Sequence, residues 1–456
     1  MIPLLFSTAS AFCGFYVGGA DAELYNDATL VVMMRDQSKT VLSMQNSYQG
    51  PPQDFALVVP VPTVLQKEDV KTLPADVFKR VDTLSAPRLV EYWERDPCDP
   101  YKYDMVMESA AAGSGVRFKS ESRKGSADLG VKVEAEFSVA EYDIVILSAK
   151  DSSGLETWLH QEEYNIPDGA SASLRPYVQA GTKFFVAKVD PKRAKFEGDR
   201  AVLSPLRVAY DTKEFSLPVR LGLLNSQGEQ DLLVHILGKN QRYEVANYPN
   251  VLVPTNLRVT DAVRGDFGNF YEALFRNTID DQRGAVVTEY SWQSGSCDPC
   301  PGPTLTANDV ATLGGDLLGD SNPMSWTLTR LHYRYSAEGL KEDLVFKAAP
   351  AIIGGRGTPD AEGQFQEKPQ PSSVNQFQGR YAILHRWNGP IACQSPQRGI
   401  WGGPDGQDIP PIKGAGDSMA KRAKPKVELS KVLLDPVPGV KPKPAGNPGM
   451  IPELGN

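Results

Sequence analysis

Apolar side chains at every second position are the feature that most constrains the fold of this chain. From residue 131 to residue 139 they alternate with Lys, Glu and Ser side chains, which leaves one side of the segment apolar and the other polar. This period is typical of a half-buried strand, and the apolar run at 144–147 predicts a buried neighbour. Other strands are predicted at 28–34, 41–47 and 55–62, which we expect to form a meander, and at 183–189, 206–210, 215–224, 232–237, 286–292 and 326–335.

A pair of helices is predicted directly after the meander. Pro74 and Asp76 open the first helix, and Ser85 caps the second. The apolar faces of the two helices consist of Val77, Phe78, Val81 and Leu84 in the first and Leu89, Val90 and Trp93 in the second. We expect the pair to cover one face of the meander.

Three later segments also have helical signals. Ser153 and Glu156 form a capping box before an apolar stripe of Leu155, Trp158 and Leu159. The aromatic residues of 267–275 recur at helical spacing and predict a core-facing helix, and Thr306 caps a short helix toward Leu313. The predicted fold class is therefore α+β, with mostly antiparallel sheets, a few covering helices and a Pro-rich C-terminal tail.

Composition changes divide the chain into five parts. Residues 1–11 resemble part of a signal peptide, 12–107 hold the meander and the helix pair, and 108–130 have the Ala, Gly, Ser, Lys and Arg content of an exposed loop or linker. Residues 131–402 are predicted to form a second α+β domain, and 403–456 a flexible tail. Ten of the 36 prolines lie in that tail, which predicts that limited proteolysis clips it while the body stays folded.

Charge and hydropathy favour an exported protein. The net charge of −8 argues against a surface that binds nucleic acid. The sequence contains no run of 18 apolar residues, so no membrane-spanning helix is predicted. Residues 2–6 are apolar, and Ala9-Ser10-Ala11 has the small-x-small pattern that signal peptidase accepts. We predict export to the periplasm, the cell surface or the medium, with cleavage after Ala11. A buried first strand is the alternative interpretation of these residues.

The five cysteines are Cys13, Cys98, Cys297, Cys300 and Cys393. Cysteines of exported proteins usually pair, and an odd number leaves one over. Only Cys297 and Cys300 are close enough in sequence to favour each other, so the remaining connectivity stays open. A redox pair has its first cysteine at a helix N-terminus, but Pro301 and Pro303 delay the next helix. We therefore predict a structural role for Cys297 and Cys300, with thiol-disulfide exchange as the alternative.

No other motif predicts a catalytic, cofactor or metal site. The histidines are scattered at 160, 235, 332 and 385, outside any metalloprotease pair, and we expect them at the surface or the edge of the core. The acidic segments 151–154 and 280–281 lack the spacing of a calcium loop. Among the tryptophans, Trp387 and Trp401 are the best candidates for stacking on a sugar, because glycines and a proline flank them. Carboxylates from distant strands leave no local pattern, so a hydrolase remains an alternative.

Several segments together resemble a known family. They are 12–17 (FCGFYV), 59–62 (VPVP), 84–93 (LSAPRLVEYW), 297–300 (CDPC) with 305–314, and 328–332 (LTRLH) with 342–345 (EDLV). In these segments the chain is similar to the bacterial family catalogued as domain of unknown function 2330, from Cys13 to about Cys393. The resemblance implies an exported envelope protein, and it implies no activity because the family has none assigned.

The function predicted from these features is that of a non-enzymatic structural or binding protein of the cell envelope. Envelope proteins or polysaccharide are the expected partners, and no cofactor is expected. Two alternatives remain: a thiol-disulfide oxidoreductase that uses Cys297 and Cys300, and a hydrolase that acts on envelope polymers.

Overall fold

The computed structural model describes most of the chain. The described residues are 15–19, 25–26, 29–45, 48–49, 56–99, 130–162, 164–165, 170–197, 200–225, 229–280, 282–365, 368–403, 413–414 and 427–440. The predicted signal segment 1–11, Cys13 and nearly all of the linker 108–130 lie outside these ranges.

The described residues form 29 strands and seven helices. The first ten strands are β1 (Phe15–Gly19), β2 (Tyr25–Asn26), β3 (Thr29–Asp36), β4 (Lys39–Gln45), β5 (Tyr48–Gln49), β6 (Ala56–Val61), β7 (Val70–Thr72), β8 (Arg88–Glu94), β9 (Val131–Val139) and β10 (Tyr142–Ala149). The next ten are β11 (Tyr164–Asn165), β12 (Lys183–Val189), β13 (Lys195–Glu197), β14 (Arg200–Val202), β15 (Leu206–Asp211), β16 (Ser216–Leu217), β17 (Gln230–Lys239), β18 (Arg242–Val245), β19 (Asn250–Leu252) and β20 (Leu257–Arg258). The last nine are β21 (Val286–Gln293), β22 (Trp326–Tyr335), β23 (Leu344–Ala349), β24 (Ile352–Gly354), β25 (Gln370–Pro371), β26 (Gln376–Gln378), β27 (Arg380–His385), β28 (Trp401–Gly402) and β29 (Lys413–Gly414).

The helices are α1 (Asp76–Ser85), α2 (Ser152–Gln161), α3 (Ala170–Gln179), α4 (Phe267–Asp280), α5 (Ala307–Val310), α6 (Asp316–Leu318) and α7 (Leu429–Val432). A wider helical turn, Ala311–Gly315, joins α5 to α6. Within the described ranges, no helix has both the length and the apolar character needed to cross a bilayer.

Two large sheets form the centre of the fold. One has six strands in the order β11-β1-β6-β12-β10-β9, and the other has eleven, in the order β25-β24-β26-β21-β22-β17-β3-β4-β15-β7 with β19 beside β21. Their facing sides share one apolar core, to which β6, β10 and β12 contribute from the first sheet and β3, β17 and β22 from the second. A smaller five-stranded sheet, β20-β27-β8-β28 with β29, extends the structure.

Helices cover the outer faces of both sheets. Helices α2 and α3 pack on the six-stranded sheet, and α1 and α4 pack on the eleven-stranded sheet. The order of layers is therefore helix, sheet, sheet, helix, with most strand pairs antiparallel, which confirms the α+β class. The eleven-stranded sheet takes strands from both sides of the predicted linker 108–130, and the division into two domains stays a prediction.

The meander prediction is correct for two of its three strands. Strands β3 and β4 form an antiparallel hairpin, but β6 lies between β1 and β12 in the other sheet. The free edge of β4 pairs with β15 instead. The sequence of β6, ALVVPV, is apolar on both faces, as expected of a central strand with cores on both sides.

The predicted second helix of the pair is wrong. Residues 88–94 form strand β8, which pairs in parallel with β27. Pro87 disfavours helical backbone at the preceding residue, and the Ser85 hydroxyl donates to the Val81 carbonyl of α1 rather than capping a new helix. The first helix is confirmed, and its predicted apolar face packs on the eleven-stranded sheet.

Two other local predictions need correction. Helix α2 is capped by Asp151, whose carboxylate accepts from the Gly154 N–H, and not by Ser153. The predicted strand 215–224 shrinks to the two residues of β16, since Pro218 has no N–H to offer a ladder, and a 3₁₀ turn follows at Arg220–Asn225.

The predicted flexible tail is wrong for residues 427–440. Leu429, Leu433 and Val437 are buried against α4, and Asp435 accepts from the Arg258 guanidinium at 2.5 Å. Only Leu429–Val432 is helical, and Leu433 forms an isolated β-bridge with Val259, so backbone pairing as well as apolar burial holds this segment. Residues 404–412, 415–426 and 441–456 lie outside the described ranges.

Candidate functional site

The most unusual feature of the fold is a set of charged side chains buried under α1 and α4. We call Asp82, Asp231, Glu272, Glu289, Arg330, His332 and Arg334 the buried charge network. It lies on the helix-covered face of the eleven-stranded sheet.

Strand β22 supplies the three basic members. All ten of its residues are buried. Leu331, Tyr333 and Tyr335 belong to the core between the two sheets. Because successive side chains point to opposite faces, Arg330, His332 and Arg334 all point to the helix side.

The neighbouring strands bring acidic side chains to the same face. On β17, Asp231 stands opposite Arg334, and His235 stands opposite Arg330. On β21 the register with β22 shifts between Thr288 and Tyr290, so Glu289 is the extra residue of a β-bulge. A bulge re-aims a side chain, and here it brings the Glu289 carboxylate between Arg330 and His332.

Arg330 joins both helix and sheet residues. Its Nε donates to Glu289 Oε2 at 2.6 Å, and its Nη1 donates to the Asp82 carboxylate of α1. The same Nη1 lies 3.2 Å from His235 Nε2. Arg330 therefore binds one fully buried carboxylate, one partly exposed carboxylate and one imidazole.

His332 lies between two carboxylates. Its Nδ1 is 2.8 Å from Glu289 Oε1, and its Nε2 is 3.2 Å from Asp231 Oδ1. The Phe275 ring of α4 stacks on the imidazole with 3.9 Å between ring centroids. Both ring nitrogens thus face acidic oxygens while the ring face is closed by an aromatic side chain.

Arg334 forms two bidentate ion pairs. It donates to Asp231 at 2.7 and 2.8 Å and to Glu272 of α4 at 2.8 and 2.9 Å. The Tyr271 hydroxyl, one residue earlier on α4, donates to Glu289 Oε1. Helix α4 is therefore tied to the sheet by polar contacts as well as by its apolar stripe.

The ion pairs determine the protonation of the acidic groups. Burial alone raises the pKa of Glu289, but His332 and Arg330 hold it at about 2. The pKa of Asp231 is likewise lowered, because His332 and Arg334 outweigh the effect of burial. Both groups are ionised at neutral pH and act as acceptors only.

His235 behaves in the opposite way. Burial and the positive charge of Arg330 lower its pKa to about 3. Because Arg330 donates toward Nε2, this imidazole is neutral. Adjacent strands thus carry one histidine next to a cation and one between two anions.

The polar atoms of the buried charge network bind one another. Glu289 accepts from Arg330, His332 and Tyr271, and the side chains of Glu289, Arg330 and His332 are each only 1% exposed. A general acid or base must reach an atom of its substrate. The buried charge network is therefore suited to holding α1 and α4 on the sheet.

Four of the five cysteines form bridges. Cys98 pairs with Cys393, and Cys297 pairs with Cys300, as the sequence favoured for the local pair. Helix α5 begins at Ala307, after the Thr306 cap, so the cysteine pair does not lie at a helix N-terminus. Two side chains hold the loop between the cysteines in place. The Arg88 guanidinium donates to the Pro299 carbonyl at 2.9 Å, and the Gln378 amide donates to the Asp298 carbonyl.

The histidine prediction is wrong for two of the four residues. His160 is exposed and His385 is partly exposed, with His385 Nε2 2.7 Å from Glu91 Oε2. His235 and His332 are fully buried. The two carboxylates described above offset the cost of burying His332, whereas His235 is buried as a neutral ring whose Nε2 faces Arg330.

The tryptophans differ from expectation, and the acidic segment at 151–154 supplies a helix cap. Trp401 is buried, and its Nε1 donates to the Asp360 carbonyl, whereas Trp387 is half-buried. Asp151 serves as the α2 cap, and Asp281 lies outside the described residues. In the part of the chain that the structure describes, no three His, Cys, Asp or Glu side chains come together in a way that would hold a metal ion.

Comparison with known proteins places the chain in a family. The model of a family described as an uncharacterised protein conserved in bacteria, domain of unknown function 2330, matches residues 7–347. The chain belongs to this family. All seven residues of the buried charge network lie inside the matched span, whereas β24 to β29 lie beyond it. No curated protein and no solved structure matches the chain.

Proposed function

We propose that the protein is exported and works in the cell envelope as a non-enzymatic structural or binding protein. The observation that carries the proposal is the pairing of four cysteines, Cys98 with Cys393 and Cys297 with Cys300. Disulfides persist in the periplasm and at cell surfaces and are rare in the cytosol. The signal-like residues 1–11 would deliver the chain to such a compartment.

The buried charge network supports the non-enzymatic part of the proposal. Its carboxylates and guanidinium groups bind one another rather than facing solvent, and only Asp82 and Asp231 among the acidic members have more than a tenth of the side chain exposed. Groups engaged in this way stabilise a fold but do not contact a substrate. Envelope proteins or polysaccharide are the partners we propose.

Export is tested on native protein from its own host. We expect N-terminal sequencing to begin at Phe12 and fractionation to place the protein outside the cytoplasm. Alkylation under denaturing conditions should label one cysteine before reduction and all five after it. A Cys98→Ser variant is the control, because it frees Cys393 and should add one labelled thiol. An intact Met1 on a cytoplasmic chain with five reactive thiols would contradict the proposal.

The non-enzymatic part is tested by sedimentation with isolated envelope polysaccharide and, separately, with envelope proteins. We expect the protein to sediment with one of these fractions without releasing soluble fragments from it. Release of fragments that increases with protein concentration would favour the hydrolase instead.

A further inference from the structure

His332 has an environment that restricts its protonation state. Glu289 on β21 approaches one ring nitrogen at 2.8 Å, and Asp231 on β17 approaches the other at 3.2 Å. A neutral imidazole carries a single N–H, so one of its nitrogens would present a lone pair to a carboxylate. Only the doubly protonated ring donates to both neighbours.

Both carboxylates are already ionised by other partners. Arg330 donates to Glu289, and Arg334 donates to both oxygens of Asp231. Neither acid therefore carries a proton that it could donate to a neutral imidazole. The geometry and the charges agree that His332 is an imidazolium ion in the folded protein.

The charge balance of the interior depends on this proton. With His332 protonated, the cations Arg330, His332 and Arg334 equal the anions Glu289, Asp231 and Glu272 in number. At the partly exposed ends, Asp82 of α1 adds one negative charge and Arg276 of α4, which binds Glu272 at 2.7 Å, adds one positive charge; His235 of β17 is neutral. Loss of the proton would remove one donor from a buried carboxylate and leave the interior with one negative charge in excess, which is unfavourable at low dielectric.

Helix α4 is the element that this balance affects most. Its Phe275 covers the His332 ring, its Glu272 binds Arg334, and its Tyr271 donates to Glu289. We propose that His332 is a structural imidazolium ion that couples the packing of α4 on the sheet to pH, so that α4 loosens when the interior loses this proton.

The sign of the coupling follows from the direction of the shift. Burial alone lowers the pKa of His332, but Glu289 and Asp231 raise it above the usual value. A raised pKa means that the stabilisation is complete below the pKa of the unfolded chain, about 6.5. It decreases as pH rises toward the pKa of the folded protein and is absent above that value.

Stability measurements test this coupling with a matched pair of variants. Unfolding of the full chain by denaturant is measured from pH 5 to pH 10 for the wild type, His332→Gln and His160→Gln. His160 is exposed on α2, so its variant should follow the wild type. Above about pH 6.5, the wild-type unfolding constant should rise about tenfold per pH unit relative to His332→Gln, until the folded pKa is reached. Parallel curves for wild type and His332→Gln would overturn the proposal.

Two measurements on folded protein keep the test decisive if His332→Gln does not fold. The ring ¹⁵N shifts of His332 in the wild type should show two protonated nitrogens at pH 7.5, and in Asp231→Asn the pKa of His332 should fall. Hydrogen-exchange protection factors of α4 should decrease at high pH relative to those of α2. A neutral His332 at pH 7.5, or equal pH dependence of protection in the two helices, would also overturn it.

Discussion

The protein buries arginines in two different ways in two neighbouring regions. In the buried charge network, Arg330 and Arg334 bind carboxylates. Across the pairing of β8 with β27, Arg88 stands opposite Arg380, and both donate to uncharged oxygens. We call Arg88 and Arg380 the carbonyl-bound arginines.

The contacts of the carbonyl-bound arginines are mainly to loops. Arg88 donates to Pro299 and Leu84 carbonyls at 2.9 and 2.5 Å. Arg380 donates to the Arg356 carbonyl at 2.6 Å and to the Asn256 side-chain oxygen at 2.6 and 2.9 Å. Burial, with smaller contributions from Arg380 and Arg330, lowers the pKa of Arg88 to about 10.

The two regions show that a buried cation can serve different purposes. Carboxylate partners neutralise the charge and make the region sensitive to pH through His332. Carbonyl partners leave the charge in place but fix the path of the chain at 298–299 and 356. Removing a partner should therefore have a larger effect in the first region than in the second.

The largest effect is expected for Glu289→Gln. The substitution keeps the size of the side chain but leaves Arg330 and His332 without their shared buried anion. Breaking a buried pair in this way costs about 3–5 kcal/mol. Denaturant unfolding at pH 6 measures the loss. Glu134→Gln is the control, because the ion pair of Glu134 with Lys132 is at the surface and contributes at most about 1 kcal/mol. Equal losses for the two variants would remove the distinction between the regions.

A smaller effect is expected for Arg88→Met. It leaves the Pro299 and Leu84 carbonyls without a donor, which costs about 1–3 kcal/mol. No carboxylate loses a partner, so this loss should be the same from pH 5 to pH 9 when compared with the wild type. Unfolding curves at several pH values test this point. A loss that changes with pH would mean that Arg88 is coupled to His332.

The smallest effect is expected for the double replacement Cys297→Ser and Cys300→Ser. The bridge closes a very short loop, so chain entropy predicts at most about 2 kcal/mol. Because Arg88 binds the same loop, combining these changes with Arg88→Met should give a loss that departs from the sum of the separate losses. A structural bridge should also have a reduction potential below about −300 mV. A potential in the range of dedicated oxidants would favour the oxidoreductase.

Local patterns in the sequence predict much of the secondary structure. The alternation of 131–139 and the apolar run that becomes β12 give strands with nearly the predicted bounds, and the aromatic stripe of α4 is buried. The Thr306 cap and the local cysteine pair are also confirmed. In each case the sequence pattern lies within about ten residues, and a single local preference, such as apolar periodicity or helix capping, determines the structure.

The buried charge network is not predictable in the same way. Arg330 and Asp82 are 248 residues apart in sequence, and the position of Glu289 depends on a bulge that no local pattern indicates. One signal is present: basic residues occupy every second position from 330 to 334 in a strand whose other face is Leu and Tyr. A strand whose basic face is exposed to solvent would show the same sequence pattern. The network can therefore be recognised only when the positions of the covering helices are known.

The pairing of β8 with β27 also has a consequence for biosynthesis. Cys98, just after β8, and its partner Cys393, just after β27, are 295 residues apart. At about 5–20 residues per second, synthesis of the intervening chain takes about 15–60 seconds. During that time β8 has neither its parallel neighbour nor its bridge. The five-stranded sheet is therefore completed only after most of the polypeptide has left the ribosome, which is compatible with a chain that crosses a membrane before it folds.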